Sequence, residues 1–403
     1  MKESSRNRGP LLFCLTSLLM YMVMPAVSLY VPAIVKVALV VAVVVLMSAD
    51  SNKTSIIKIA CKLIPVYIIA LVKLLNVDTG YLLATIYDLL GTYVVSCAYL
   101  HLFIENKQQL SKKVMISVAV IYLITAVTTI MGNMIFPQAS RLMSTGMDGE
   151  HTLYDAYRAY NIGSFAFVYE LVLPVAFLPF VFKQKVLPRW LTIGIYVLVL
   201  YCMYASQFTI ALVCVLGYGV FFFIGYIRNP RGLIGYAIVF GIILFAIVPV
   251  ILPWLGSNVG DEIMSQRFEE MSNVVSGVGA TEDSDVDQRQ SLYMRSINTF
   301  LANPLTGGKG GGGHSFILDI MAKYGIMGIL MLWIMLRSMY NIYVRPYRHT
   351  FFYSYLLFSY IIYLMLIILN PGPLYMSVTF LVPLIAFVLG NEYEKSIIGD
   401  YKK

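Results

Sequence analysis

Charge is scarce in this sequence: 12% of its 403 residues are charged, against 59% that are apolar. A soluble fold of this length could not solvate such a surface, so lipid must be its main solvent. Cysteine is scarce too, and all five (Cys14, Cys61, Cys97, Cys202, Cys214) fall inside apolar runs. None belongs to a CxxC pair or lies near a histidine at ligand spacing, which excludes a disulfide framework and a zinc site and leaves them as small apolar fillers. There is no P-loop: Gly307–Gly313 reads GGKGGGG, without the required spacing or a following Ser/Thr. The run Glu282–Asp287 opens like a calcium loop but lacks the glycine and glutamate that would complete one, so it reads as a solvated acidic loop. No internal repeat relates the two halves, which disfavours an inverted-repeat transporter.

What the sequence has is apolar runs of spanning length. Twelve occur: 11–28, 31–47, 56–75, 80–104, 113–133, 163–182, 187–205, 208–227, 232–254, 316–338, 350–370 and 373–390. This predicts an all-α polytopic membrane protein, a single membrane domain over 1–403. The basic start MKESSRNRGP precedes no small-residue cleavage site and soluble domain, so the first run reads as a retained helix. With the N-terminus cytoplasmic and the spans alternating, eighteen cations fall in or beside inner loops and six (Arg141, Arg158, Arg267, Arg289, Arg295, Lys309) outside. That bias fits the positive-inside rule and puts both termini in the cytoplasm. The net charge of +8 is then a consequence of topology and gives no argument for nucleic acid. Inner loops are short, leaving no room for cytosolic catalysis. Two outer loops exceed a tight turn: 134–162 and a large one, 255–315, between the ninth and tenth spans.

Most of the chemistry gathers in the second outer loop. Asp287–Gly328 reads DQRQSLYMRSINTFLANPLTGGKGGGGHSFILDIMAKYGIMG. From Asp287, an expected N-cap, the pattern turns helical, with Arg289 in the first turn and Asn303-Pro304 ending the helix. The segment 261–273 could form a second short helix. After the glycine run, His314 opens the tenth span, where free N–H groups and the positive helix end favour an anion. Arginine forks suit phosphate oxygens, and a histidine with a pKa near ~6.5 can accept a proton at neutral pH. His151, the other outer histidine, reads as an exposed loop residue beside Asp148, Glu150 and Asp155. Two carboxylates, Asp88 and Glu170, fall inside spans, where ionisable groups are costly. Either they face a substrate cavity, or they pair with Lys36, Lys62 or Lys73 to hold the bundle together.

The ordered set Arg289, Pro304-Leu305, glycines, His314-Ser315 and Gly325-Ile-Met-Gly328 resembles the O-antigen ligase/Wzy polymerase superfamily. The resemblance covers about forty residues. It implies a GT-C-like fold of about twelve helices in the bacterial plasma (inner) membrane, acting without cofactor or metal. The implied substrates are undecaprenyl-diphosphate-linked oligosaccharides, as donor and acceptor, and a chain-length regulator is a possible partner. By resemblance, Arg289 matches the arginine that binds the carrier diphosphate and His314 the histidine serving the acceptor. YRAYNIGSF, with Arg158 and Gly163, matches a second family element. Where many members carry Ser-Arg-Gly, this chain has Ser206-Gln207, so Arg158, Arg295 or Lys309 would supply the missing cation, or the donor is held differently. The short Pro304–His314 segment and Asp319 tilt the resemblance toward the Wzy-type repeat-unit polymerases of O-antigen or capsule synthesis. The O-antigen ligase, delivering glycan to lipid A-core, is the alternative, and a lipid-linked oligosaccharide flippase is the alternative of another class. The expected catalytic residues are His314 and Arg289. The expected substrate-binding residues are Arg158, Arg295, Lys309, Gln207, Glu170 and Asp88.

Overall fold

The structure is a computed structural model that describes residues 8–50, 53–75, 79–137, 139–145, 151–224, 265 and 285–390. The run 232–254 lies outside the described residues, as do the acidic loop before Asp285 and, Ser265 apart, the segment 261–273. Among the described residues the chain is helical, with no strand. The helices are α1 (Arg8–Val23), α2 (Pro25–Tyr30), α3 (Ala33–Asp50), α4 (Lys53–Leu63), α5 (Ile68–Leu74), α6 (Thr79–Ile104) and α7 (Gln108–Ile135). They continue with α8 (Ala139–Thr145), α9 (His151–Ala159), α10 (Phe165–Glu170), α11 (Leu178–Lys183), α12 (Arg189–Ala205) and α13 (Thr209–Ile224). The last four are α14 (Asp285–Ala302), α15 (Phe316–Met339), α16 (Tyr353–Leu369) and α17 (Ser377–Gly390). Four apolar stretches are long enough to cross a membrane by length and composition: Thr85–Ile104, Gln108–Ile135, Phe165–Lys183 and Phe316–Tyr347. Several shorter apolar helices accompany them, as an all-α polytopic membrane protein requires.

The chain packs as two compact units, Met1–Gly225 with Ile334–Tyr363 and Leu374–Lys403, and Tyr226–Trp333 with Leu364–Pro373. In the first unit α1 packs on α3 and α7, α3 on α6, and α7 on α12. The inner stripe of α1 is Leu11, Leu15, Leu18 and Leu19, at helical spacing, while Phe13 on the opposite face is 70% exposed. The outward face of α7 carries Ile116, Val120, Ile124, Val127 and Met131. An apolar exposed face opposite an apolar core is what a lipid solvent selects.

Proline breaks two of the expected spans. The run 56–75 divides at the 3-10 turn Ile64–Tyr67, which Pro65 begins. The run 163–182 divides into α10, a 3-10 turn Leu173–Phe177 begun by Pro174, and α11 begun by Pro179. Each proline removes an N–H and leaves a carbonyl unpaired. One hydroxyl repairs the second break, Ser377 donating at 3.0 Å to the Glu170 carbonyl that Pro174 leaves free; Ser359 donates to the neighbouring Leu173 carbonyl at 3.5 Å. Such irregular backbone is tolerated at membrane depth where protein or a cavity surrounds it.

The described part of the first expected loop, 134–162, is folded. Ala139, Met143, Tyr157 and Ile162 form its small core, with Phe136 and Leu142 packed alongside.

In the second unit, α14 starts at Asp285, so Asp287 lies inside the first turn and is not the cap, and Arg289 is in the second turn. The helix stops at Ala302, before Asn303-Pro304, as expected. The larger departure is in α15. Gly325 has φ 59 and ψ −139, which breaks the expected span 316–338 into a short helix and a longer one. A Cβ on Gly328 would fall 2.4 Å from the Ile320 carbonyl oxygen. Eight residues of straight helix cover about 12 Å, so the chain folds back at the break.

Candidate functional site

Two constellations, one in each unit, hold the expected residues other than Gln207. In the first, a polar seam on α7 positions Arg158. Thr125, Thr129 and Asn133 recur every fourth residue and are buried. Thr129 Oγ1 accepts a hydrogen bond from the Gly163 N–H at 2.8 Å. Asn161 Nδ2 donates to Thr128 Oγ1 at 2.9 Å, and Thr128 Oγ1 donates to the Asn161 carbonyl at 2.9 Å. Asn161 sits at φ 56, a left-handed turn that asparagine tolerates better than most residues. Gly132 lets Ile162 approach α7, since a Cβ there would meet Ile162 Cγ1 at 2.3 Å. The turn after α9 is thereby pinned to α7, and Arg158 is set in place. Its Nη2 donates to Ser28 Oγ at 3.1 Å, its Nη1 lies 3.5 Å from Asp155 Oδ1, and its guanidinium stands 5.6 Å from the Tyr154 ring centre.

Arg158 lines a cavity of about 610 Å³. The walls also carry Lys36, Asp88, Glu170, Tyr21, Tyr87, Tyr154, Ser28 and Ser164. Lys36 is buried and pairs with Asp88, whose side chain is 80% exposed. A Cβ on Gly91, one turn beyond Asp88, would touch Lys36 Cε at 3.2 Å, so this glycine makes room for the lysine stem. The two readings of Asp88 therefore coincide: it faces the cavity and it pairs with Lys36. Glu170 lines the cavity at the last residue of α10, and Tyr122 donates to its Oε2 at 3.1 Å. Gln207 lines neither this cavity nor the groove of the second unit. It is 5% exposed, at φ 57 in the turn between α12 and α13, where its N–H donates to the Tyr204 carbonyl at 2.9 Å.

In the second unit, α14 divides its arginines between two faces. Six residues at about 100° each leave Arg289 and Arg295 roughly 120° apart. Arg295 lines an open groove with Asn298, Thr299, Asn303 and Lys309. Thr299 Oγ1 donates to the Gly310 carbonyl at 3.0 Å and fixes the near edge of the glycine loop. Arg289 shares its face with Tyr293 and Ser296. Burial pushes the Tyr293 phenol up, Arg289 pulls it down and Asp319 pushes it up again, which puts all three in one neighbourhood.

Asp319 organises the approach to His314. Its Oδ1 accepts from Ser296 Oγ at 2.7 Å and from the Gly313 N–H at 3.1 Å, and its Oδ2 accepts from the Ser315 N–H at 3.3 Å. Ser315 caps the following helix by accepting from the Leu318 N–H at 3.2 Å, and Ser296 Oγ also accepts from the Gly312 N–H at 2.7 Å. The residues on either side of half-buried His314 are thus tied to one carboxylate beside the Arg289 face. Sequence reasoning gave Asp319 no such role. The signal present was Ser315 followed by an acid four residues later, close to a capping box.

The remaining motif glycines are structural. At Gly325 the Ile326 N–H donates to the Pro304 carbonyl at 2.7 Å, and the Gly308 N–H donates to the Ala322 carbonyl at 2.8 Å. The Pro-Leu-Thr-Gly turn docks backbone-to-backbone into the helix break. A Cβ on Gly307 or Gly325 would fall 2.2 or 2.5 Å from a facing carbonyl oxygen.

None of the curated proteins compared matches the chain. A protein-family model described as O-antigen ligase matches residues 194–333. That stretch takes in α14, the glycine loop, His314 and the helix break, and stops short of Arg158 and its cavity. This domain match, with the Arg289–Gly328 pattern inside it, is consistent with a membrane protein of the O-antigen ligase/Wzy superfamily and with a glycan ligase or polymerase type of function.

Proposed function

We propose that this protein polymerises undecaprenyl-diphosphate-linked oligosaccharide repeat units on the outer face of the bacterial plasma membrane. The observation that carries the reading is the Asp319-tied loop, which holds His314 beside the helix face bearing Arg289. In the reaction an acceptor hydroxyl attacks the anomeric carbon of the donor's first sugar, and the bond to the diphosphate breaks. The diphosphate leaves with the electron pair, and the hydroxyl proton passes to a base. Because the leaving group is good, the enzyme needs charge stabilisation and a proton acceptor more than covalent help. Arg289 stabilises the departing diphosphate, His314 serves the acceptor hydroxyl, and Arg295 and Lys309 are the assisting cations. Guanidinium groups supply the positive charge in this reading, so transfer by purified protein is expected to survive EDTA; loss of activity restored by a divalent ion would contradict it.

The direct test is transfer from lipid-linked repeat units by purified Arg289→Ala and His314→Ala proteins. Both are expected to lose at least ~100-fold in rate; wild-type rates in both would sink the reading. The family description favours a second reading, ligation of glycan to lipid A-core. Deleting the gene separates the two. Loss of a polymerase leaves single repeat units attached to the lipid, and loss of a ligase leaves none.

A further inference from the structure

We propose that the cavity of the first unit is a saccharide subsite, in which Glu170, held by Tyr122, accepts a hydrogen bond from a hydroxyl of the lipid-linked sugar. The inference rests on the reading above that the substrate is a lipid-linked oligosaccharide, and it names the residues that recognise the sugar part.

The charge balance of the walls points there first. Among the described residues the lining carries two cations, Lys36 and Arg158, and two carboxylates, Asp88 and Glu170. A pocket built only for phosphate gains nothing from carboxylates, which repel it. Lys36 is moreover spent on Asp88, and Arg158 is partly engaged by Asp155 and Ser28. A balanced set of donors and acceptors suits a neutral polyol, whose hydroxyls donate to carboxylates and accept from cations and phenols. The cavity, at about 610 Å³, falls in the usual ligand range of ~300–1,000 Å³. Tyr87 and Tyr154 add aromatic faces for the apolar side of a sugar ring.

Glu170 is the acceptor best placed to read the ligand. Among the described residues its side chain has a neutral partner, the Tyr122 hydroxyl on Oε2, and no cation within ion-pair distance. A carboxylate inside an apolar helix, without a cation, is too costly to be mere packing. Tyr122 is itself fixed, 5% exposed, with its ring 5.5 Å from that of Phe167. The helix break immediately after Glu170, repaired by Ser377, holds the carboxylate at the wall.

Purified full-length protein tests this with two probes: bare undecaprenyl diphosphate, and undecaprenyl diphosphate bearing the repeat unit of the native host. Wild type is expected to bind the saccharide-bearing lipid more tightly than the bare lipid. Glu170→Gln keeps the shape of the side chain and is expected to lose about tenfold affinity for the saccharide-bearing probe alone. Tyr122→Phe, which removes one hydroxyl, is expected to shrink the same difference, and it serves where Glu170→Gln proves unstable. If both variants bind both probes as wild type does, or weaken on both alike, the subsite is overturned while the function stands. If wild type binds neither probe, the underlying reading fails and the subsite falls with it.

Discussion

Asp319 gathers the candidate site around a single side chain. Its carboxylate collects a hydroxyl and two backbone N–H groups from Ser296, Gly313 and Ser315. Hydrogen bonds to a charged group are worth about 1.5–3 kcal/mol each, and their loss frees the loop on both sides of His314. Misplacing a reacting group by about an ångström can cost ~100-fold in rate. Asp319→Ala is therefore expected to lower kcat by about 10- to 100-fold with a smaller change in KM. Asp319→Asn, which keeps an acceptor oxygen, should recover part of the loss, and steady-state transfer kinetics on the three proteins decide it. An alanine variant at wild-type kcat would show that the loop needs no such tie. Sequence reasoning could single out Arg289 and His314 as candidates because their types and spacing are informative. It gave no positioning role to Asp319, because one of its partners, Ser296, is twenty-three residues away and on a different helix. Gln207 is singled out by its place in the chain, and the structure buries it at φ 57 in the turn between α12 and α13.

Helices that looked continuous in sequence are interrupted beside the candidate site residues. Hydropathy recovers α7 and the separate α12 and α13, because a run of apolar residues is enough to report a span. It is blind to a break that stays apolar, and YGIMG in α15 is one: Gly325 turns the chain with no change in polarity. Pro65, Pro174 and Pro179 are visible in the sequence, but their effect depends on which hydroxyls stand ready to repair the backbone. The glycine break gives a sharp prediction. Gly325→Ala places a Cβ 2.5 Å from the Pro304 oxygen at positive φ and is expected to destabilise the protein by several kcal/mol, on the order of an overpacked core plus backbone strain. Gly194→Ala, on α12 with open space at its Cβ, is expected to be neutral or to stabilise by up to ~1 kcal/mol. Thermal melts in detergent compare the pair; equal melting temperatures would contradict the account of the break.

Across the whole molecule, the solvent is read from faces and the orientation from loops. The exposed stripe of α7 is apolar throughout the residues named above, so a charge there has to sit in lipid. Ile124→Lys, at mid-helix on that stripe, is expected to cost ~2.5–3.5 kcal/mol of insertion free energy and to cut the yield of membrane-embedded protein. Lysine at Lys113, near one end of the same helix, is already tolerated, because a long side chain there can reach the interface. Orientation is carried by the excess of cations on alternate loops, which predicts that Lys309 lies outside the cell and Arg348 inside. Both side chains are exposed, so each position accepts a reporter without disturbing the core. The five native cysteines are unpaired and can be replaced by serine or alanine to give a silent background. In that background Lys309→Cys is expected to react with a membrane-impermeant maleimide on intact cells. Arg348→Cys should react only after the membrane is opened. Labelling of Arg348→Cys in intact cells would invert the topology and put Arg289 and His314 on the cytoplasmic side, away from any glycan assembled outside.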